Sequence, residues 1–483
     1  MDLADEGVVE KVIEDPKGTI HHDRAGNSGT KPGRPEGQQT DAERSKSCAL
    51  AINLMEEVCE NGNLNRAYKR VKANRGAAGV DGITVEGLPD YIRAHKEQIG
   101  QSLLLGTYEP EAVRKVMIPK PGGGERQLGI PTVLDRVIQQ GIHQILEPIF
   151  DKDFSESSFG FRPNRSAHDA LKQAKKYVEE GYIWVVDIDL EKFFDRVNHD
   201  ILMSRLARKI GDKTLLRLIR RYLTAGMMEN GVITDRQEGT PQGGPLSPLL
   251  SNVLLDEVDK ELEKRGHKFC RYADDMNIYV QSQKAGERVY ASIKQFLEKK
   301  LKLKVNEEKS AVAEVQERKF LGYQIRNDGR LTVSPKAERQ AMDKVRVLTK
   351  RNRGRSFEQV VSELNRFLVG WLNYFKLASL PSLWRDMDAW IRRKLRCYKL
   401  KQKKRNWTIA KFLMSLGVSA KEAWKIGLSG KGWWRLSCTP ALHRALSNDW
   451  FKEQGLISLL DRWTQSVKHL LGTAVCDDAR TVV

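Results

Sequence analysis

Cysteine is scarce in this chain, with six residues in 483, dispersed and with no Cys-x-x-Cys pair. That excludes a disulfide framework and a cysteine-rich zinc module, and free thiols fit a reducing cytosolic setting. Long apolar runs are lacking as well, so neither a membrane span nor an amphipathic anchor is expected. The N-terminus has no basic-then-apolar secretion signal, and its acids argue against a mitochondrial import segment; the protein is expected to stay in the cytoplasm. Apolar side chains almost vanish between Asp15 and Ser47, where Gly, Pro, Asp, Gln and Lys dominate. Such a stretch cannot repay the entropy of ordering, and residues 1–48 are expected to form a flexible tail.

Acids are outnumbered. The 82 Lys and Arg against 63 Asp and Glu give a formal charge of +19. The first fifty residues carry seven basic and ten acidic side chains, so the basic excess belongs to the remainder. That distribution suits a protein that lies along a polyphosphate.

The most informative stretch is Phe269 to Val280. Its flanks alternate, with Phe269, Arg271 and Ala273 on one face before a turn and Met276, Ile278 and Val280 on one face after it, which predicts a hairpin. Asp274 and Asp275 sit at its tip, where two adjacent carboxylates repel each other and lose solvation unless a cation neutralises them. By itself an Asp-Asp turn is ordinary turn chemistry. An earlier strand, Trp184 to Leu190, supplies matching acids, because period 2 puts Asp187 and Asp189 on one face opposite Trp184, Val186, Ile188 and Leu190. Carboxylates from a strand and a hairpin make an oxygen cage for two hard divalent ions, the arrangement that drives in-line phosphoryl displacement.

Three further blocks belong with these acids. Val113 to Ile118 is β-prone and leads into Pro119-Lys120-Pro121-Gly122-Gly123-Gly124-Glu125-Arg126 and a second strand-like run. Such a turn either grips a triphosphate through backbone N–H groups, Lys120 and Arg126, or is a solvated basic tip. Ser158 to Ser166 sets Phe159 and Phe161 beside Arg162 and Arg165, a clamp for nucleic acid or a buried corner with exposed arginines. In Gly239-Thr240-Pro241-Gln242-Gly243-Gly244-Pro245-Leu246-Ser247-Pro248, Ser247 reads as an N-cap and Pro248 as the first helical residue, before a stripe of Leu250, Val253, Leu254, Val258 and Leu262 that ends at Gly266.

These blocks, in this order, resemble the reverse transcriptases of group II introns over roughly Asn53 to Leu460. Tyr272 to Asp275 is similar to that family's hairpin motif, and Asp189 with Phe194 five residues on is similar to its first acidic motif. The resemblance implies an α+β right-hand polymerase, fingers and palm, followed by an α-helical thumb. It implies two Mg²⁺ ions bridged by Asp189 and Asp274 with Asp275 assisting, Asp187 being on the right face at the wrong spacing. It also places Lys120 and Arg126 at the nucleotide's phosphates and Gln242 and Gly243 against nucleotide and template. Arg162 and Arg165 fall by template or primer, and Lys309 is a proton donor, a phosphate contact or a solvated lysine. Phe194 either excludes a 2′-hydroxyl or packs in the core beside Phe193.

After Val333 the composition turns to basic helices. Phe357, Val360, Val361, Leu364, Phe367, Leu368, Trp371, Leu372 and Phe375 keep helical spacing, and a second helix opens at Pro381; the aromatics are read as packing. Gly370-Trp371-Leu372-Asn373-Tyr374-Phe375 resembles the family's maturase-specific thumb. Lys350 to Arg355 and Arg392 to Arg405 are dense in Lys and Arg, suited to tracking phosphates, with Arg392, Arg393, Lys394 and Arg396 as the candidate nucleic-acid contacts. Trp433, Trp434, Trp450 and Phe451 either stack on nucleic acid or close the thumb. The expected division is a tail (1–48), an N-terminal extension (49–90), fingers and palm (91–332), thumb or maturase domain (333–430) and a helical nucleic-acid-binding extension (431–483). Nothing resembles the Cys/His nuclease domain of many relatives, so second-strand cleavage is not expected. The implied partners are group II intron RNA, an RNA template, a DNA primer or target and deoxynucleoside triphosphates. Two other readings stay open, a splicing-only RNA-binding maturase and a host-recruited reverse transcriptase in repair or defence.

Overall fold

The computed structural model describes residues 51–119, 125–229 and 231–478. The expected tail and Lys120 lie outside them. The chain divides into two units, each built from separated segments. The first takes residues up to Glu156 with Leu190–Lys260 and Lys294–Val305; the second takes Ser157–Asp189, Glu261–Ile293 and the chain from Asn306 on. Residues 91–332 are therefore shared between the units, whereas 333–430 and the helices after them fall in one. In chain order the strands are β1 (Val113–Pro119), β2 (Glu125–Ile130), β3 (Trp184–Ile188), β4 (Met227–Glu229), β5 (Val232–Thr234), β6 (Lys268–Tyr272), β7 (Asp275–Val280), β8 (Ala311–Glu314), β9 (Lys319–Phe320), β10 (Tyr323–Ile325) and β11 (Leu331–Val333).

In the first unit β1 and β2 form the expected hairpin, paired from Arg114↔Ile130 to Pro119↔Glu125, within a sheet of order β2-β1-β4-β5. The helix Val133–Asp151 starts where the Thr132 hydroxyl accepts the Asp135 N–H at 3.1 Å, an N-cap bond. Its apolar residues recur at helical spacing, and Val133 and Val137 pack with Ala67, Val71, Val85 and Leu88. Asp135 itself is buried, and the hydroxyls of Tyr108, Tyr222 and Thr132 donate to it at 2.9, 3.1 and 2.8 Å. A buried carboxylate without those donors would cost several kcal/mol, on the order of 3–5; with them it ties three segments of the unit together.

In the second unit the sheet order is β6-β7-β3-β8, all antiparallel. The helix Ala167–Glu179 covers it, opened by a capping box between Ser166 and Asp169. The buried Val185, Cys270 and Tyr279 of the sheet share one apolar core with the helices Phe357–Phe375 and Pro381–Lys403, whose Phe357, Val360, Val361, Leu364, Leu368, Leu372 and Phe375 make the expected stripe. Each such side chain, fully removed from water, contributes about 1.5–3 kcal/mol. Palm sheet and helical thumb are therefore continuous within this unit, with no gap at residue 333. The later helices close onto the same core, through Trp450 against Phe357 at 5.5 Å, buried Phe451, and Asp388 accepting the Leu459 and Leu460 N–H groups at 3.0 and 3.2 Å.

Candidate active site

The second unit carries the acids on adjacent central strands. Asp187 pairs with Asn277 and Ile188 with Met276, so one more step of the register sets Asp189 opposite Asp275. The β6–β7 turn is the two residues Ala273 and Asp274, with Tyr272 paired to Asp275. Ala273 takes a left-handed φ of 58°, a conformation that costs an L-residue about 1 kcal/mol or more. Something must hold it there.

Two neighbours do. Arg271 is fully buried, and its guanidinium donates to the Ala273 carbonyl at 2.9 Å and to the Ser158 hydroxyl at 2.7 Å. The segment Ser157 to Phe159 pairs with β6 through the Arg271 N–H to Ser157 and the Phe159 N–H to Arg271, both 2.9 Å. Gly160 then lies flush on the turn, where a Cβ would come within 2.3 Å of the Ala273 nitrogen and 2.9 Å of the Tyr272 carbonyl carbon. Of the two readings of this block, clamp or buried corner, its start from Ser158 to Gly160 packs as a corner that brackets the acidic turn.

Electrostatics follow from this crowding. Desolvation by the surrounding hairpin, and then the charges on Asp274, Asp187 and Asp189, push the Asp275 carboxyl up from 3.8 to about 6, although the residue is exposed to solvent. Asp187 is also raised, by burial, against the pull of Arg318, whose Nε and NH2 donate to Oδ2 at 2.9 and 2.6 Å. The Asn277 amide, in the orientation that satisfies both its atoms, donates to Asp187 Oδ1 at 3.2 Å. Asp187 is thus anchored by two partners, while Asp189 has Lys309 Nζ at 3.8 Å and its backbone held by the Ser310 hydroxyl at 2.9 Å and the Asn306 N–H at 2.8 Å. Arg318 also reaches the Lys309 carbonyl, so one guanidinium ties the lysine's loop to the acidic strand.

Among the described residues no three His, Cys, Asp or Glu gather closely enough to hold an ion. The donor set fits a hard divalent cation, being all carboxylate oxygen on a hydrogen-bonded sheet. One consequence is measurable. Asp275→Asn should melt slightly above wild type at pH 7.5 in chelator, a small gain because solvent screens this exposed group, since the folded protein holds a proton there more tightly than the unfolded chain. Wild-type stability from this group falls as pH rises from about 4 to about 6 and is flat above, so the advantage of Asp275→Asn vanishes toward pH 4. An unchanged melting temperature across that range would remove the repulsion.

The first unit carries the residues expected at the nucleotide. A single 3₁₀ turn, Phe193–Asp195, buries Phe193 in the core and leaves Phe194 half-exposed, edge-on to it at 5.2 Å. Core packing is therefore the work of Phe193. The Phe194 carbonyl accepts the Thr240 N–H at 2.6 Å, which fastens this turn to the glycine loop. The loop runs on along β2, where the Gln242 carbonyl accepts the Gly129 N–H at 2.9 Å and Gly243, at φ 122°, leaves no room for a Cβ beside the Gly129 carbonyl. Phe194, Gln242, Gly243 and the Arg126 strand are thus gathered in one unit, with Arg126 exposed. Ser247 is the first residue of its helix, and its hydroxyl donates back to the Pro241 carbonyl at 2.8 Å, bracing the loop from behind.

Two expected nucleic-acid contacts are corrected. Arg162 is turned inward, 9% exposed, and donates to the Ser158 carbonyl at 3.0 Å. Arg396 is 4% exposed, with Nε and NH2 on the Leu446 carbonyl at 3.1 and 2.9 Å, where it closes the C-terminal end of the helix Pro440–Ala445. Arg165 is half-buried over the Phe159 ring, Arg393 stacks on Trp434 at 3.7 Å, and Arg392 and Lys394 keep partly exposed heads.

A sheet presenting acids from a central strand and a tight hairpin, on a core continuous with a helical thumb, defines a template-directed nucleotidyl-transfer palm. Residues 118–325 match the family model described as reverse transcriptase (RNA-dependent DNA polymerase), and residues 339–415 match the group II intron maturase-specific domain. Protein YkfC of Escherichia coli is 33% identical over 303 residues, covering 54% of this chain and 80% of that protein. The group II intron-encoded protein LtrA of Lactococcus lactis subsp. cremoris is 31% identical over 345 residues, 57% of each chain. A putative COX1/OXI3 intron 1 protein of Saccharomyces cerevisiae is 34% identical over 212 residues, 44% of this chain and 25% of that one. The chain thus spans little over half of LtrA and a quarter of the yeast protein. It belongs to the group II intron-encoded reverse transcriptase and maturase family, with α+β fingers and palm and an α-helical thumb.

Proposed function

We propose that this chain copies RNA into DNA and assists the splicing and mobility of a group II intron RNA, working in the cytoplasm. The observation that carries the reading is the set of Asp189, just past the end of β3, Asp274 in the β6–β7 turn and Asp275 at the start of the adjacent β7, with Asp187 paired to Arg318 beside them. Asp189, Asp274 and Asp275 would hold two Mg²⁺ ions, which when bound neutralise the triphosphate and lower the pKa of the primer 3′-hydroxyl. The chain's own residues do the positioning. Arg271 and Gly160 fix the turn, Arg318 fixes the loop of Lys309, and Lys309 presents a mostly exposed ammonium to phosphate or to the leaving pyrophosphate.

On the first unit, Arg126 grips the phosphates of a deoxynucleoside triphosphate and Gln242 and Gly243 contact nucleotide and template. Phe194, half-exposed because Phe193 takes the core position, leaves no room for a 2′-hydroxyl. Phe194→Val should raise ribonucleotide incorporation by about tenfold or more, an effect of the size expected when a steric exclusion worth roughly 1.4 kcal/mol is lost. Identical sugar discrimination by the two proteins in single-nucleotide insertion would remove the gate.

The partly exposed Arg392, Arg393 and Lys394, with Arg165, are the retained candidates for backbone contacts to template, primer or intron. Among the described residues no helix is long and apolar enough to cross a membrane. The reading is tested by DNA synthesis from an annealed primer on an RNA template, with deoxynucleotides and Mg²⁺. Product that disappears with a chelator supports it, and tight RNA binding without synthesis supports a splicing-only maturase instead.

A further inference from the structure

The helical part of the second unit holds a cleft of about 490 Å³ that none of the polymerase residues line. Its walls are Lys350, Arg351 and Asn352 from the loop after the helix Pro335–Leu348, Lys401 from the last turn of Pro381–Lys403, and Trp433 at the start of Trp433–Leu436. No acid lines it. The volume lies in the range of small-ligand pockets and accommodates one nucleotide.

The cations here differ from their neighbours. In the same loop, Arg353 is paired with Glu363 at 2.9 Å and bonded to the Leu348 carbonyl at 2.9 Å, and Arg355 lies 3.8 Å from Glu363; these two fold the loop. Among the described residues, Lys350, Arg351 and Lys401 meet no carboxylate, and all three are exposed. Three like charges brought to one opening without a counter-ion repel each other, and an anion placed among them relieves that repulsion.

The aromatic ring supplies the second half of the site. Trp434 is already occupied, with the Arg393 guanidinium stacked at 3.7 Å and Lys394 at 5.4 Å. Trp433 packs one side against the helical core, is half-buried, and among the described residues carries neither a stacked ring nor a cation. An indole face next to three unpaired cations matches the physics of single-stranded nucleic acid, a π-surface for a base with charges spaced for its flanking phosphates. Asn352 adds an amide donor and acceptor for a base edge.

We infer that this cleft captures one unpaired nucleotide of an RNA strand, its base on Trp433 and its phosphates among Lys350, Arg351 and Lys401. The inference deepens the RNA-binding part of the proposed function and rests on it. A duplex does not fit, because a paired base keeps its faces within the stack. The site is a docking point for a loop or bulge, separate from the acids.

The test is fluorescence anisotropy with the full chain, a 5′-fluorescein twelve-nucleotide oligouridylate and an abasic twelve-mer of the same backbone, without Mg²⁺ or deoxynucleotides. Wild type should bind the uridylate about tenfold more tightly than the abasic strand, the contribution of one stacked base. Trp433→Leu should erase most of that ratio and leave abasic affinity in place, whereas Trp433→Phe should preserve it. Lys350→Gln with Arg351→Gln should weaken both strands and lower the slope of log affinity against log salt by about 1.4, two phosphate contacts on single-stranded nucleic acid. A ratio untouched by Trp433→Leu, no base dependence in wild type, or equal competition by heparin would overturn the site and leave a generic polyanion surface. Because no nucleotide is polymerised here, failure of this experiment is separable from failure of primer extension, which bears on the acids alone.

Discussion

Asp189→Asn is expected to reduce RNA-templated DNA synthesis by about a thousandfold or more while leaving the fold and RNA affinity near wild type. The backbone of Asp189 is held by the Ser310 hydroxyl and the Asn306 N–H, neither of which uses its carboxylate. Asparagine keeps the shape and that backbone geometry. It removes one charge from the set that raises Asp275 to about 6 and releases Lys309, whose ammonium stands 3.8 Å away. A structural role for the acid predicts unfolding, and a catalytic one predicts a folded, silent protein. Circular dichroism and primer extension on the same preparation separate the two. By contrast, Asp187→Asn strands the Arg318 guanidinium, which is bonded to Asp187 Oδ2 at 2.9 and 2.6 Å, and so is expected to cost stability as well.

Gly160→Ala should be nearly as damaging although Gly160 carries no chemistry. The added methyl would lie 2.3 Å from the Ala273 nitrogen and 2.9 Å from the Tyr272 carbonyl carbon, both backbone atoms that cannot rotate away. Either the segment from Ser157 lifts off β6 or the turn bearing Asp274 shifts. A displacement of about 1 Å at reacting groups costs roughly a hundredfold in rate. Overpacking of this kind also costs about 1–3 kcal/mol, which the large core of the second unit tolerates. The expected protein is folded, slightly less stable, and slow. A rate within a factor of about two of wild type, with the melting point unchanged, would mean that the bracket does not set the acids.

The acidic hairpin was readable in the sequence because three local signals agree there. Alternation gives the strands, the Asp pair marks the turn, and the register that results is local to twelve residues. The same locality explains the β1–β2 hairpin and the thumb stripe. What could not be read are groups whose partners are distant in sequence. Arg396 sits in a run of positive charge and reads as a nucleic-acid contact, yet the carbonyl it closes belongs to Leu446, fifty residues on. Arg162 reads as part of a clamp or as an exposed arginine on a buried corner, whereas it is turned inward and the loop carrying it docks on β6 more than a hundred residues later. Asp135 is a buried acceptor for Tyr108 and Tyr222, which lie 27 and 87 residues away in sequence. Its one local trace is Thr132, three residues before it, the pattern of an N-cap with an acid in the first turn.

Phe193 and Phe194 show a subtler limit. Adjacent phenylalanines after a strand give no period, and sequence cannot say which turns inward. The 3₁₀ turn Phe193–Asp195 decides it, burying the first ring and leaving the second at the surface. Asp187 is a further case, since its place on one strand face with Asp189 is legible in the sequence, whereas its bond to Arg318, 131 residues on, is not.

The central claim is that Asp274 and Asp275 serve the chemistry and not the fold. Its most direct test is to measure primer extension on an RNA template and affinity for that RNA in wild type and in the Asp274→Asn, Asp275→Asn double variant. Extension lost by about a thousandfold or more, with affinity within roughly twofold and a melting temperature in chelator at or above wild type, is the predicted result. Extension that survives, or affinity and folding that fall with it, would contradict the account.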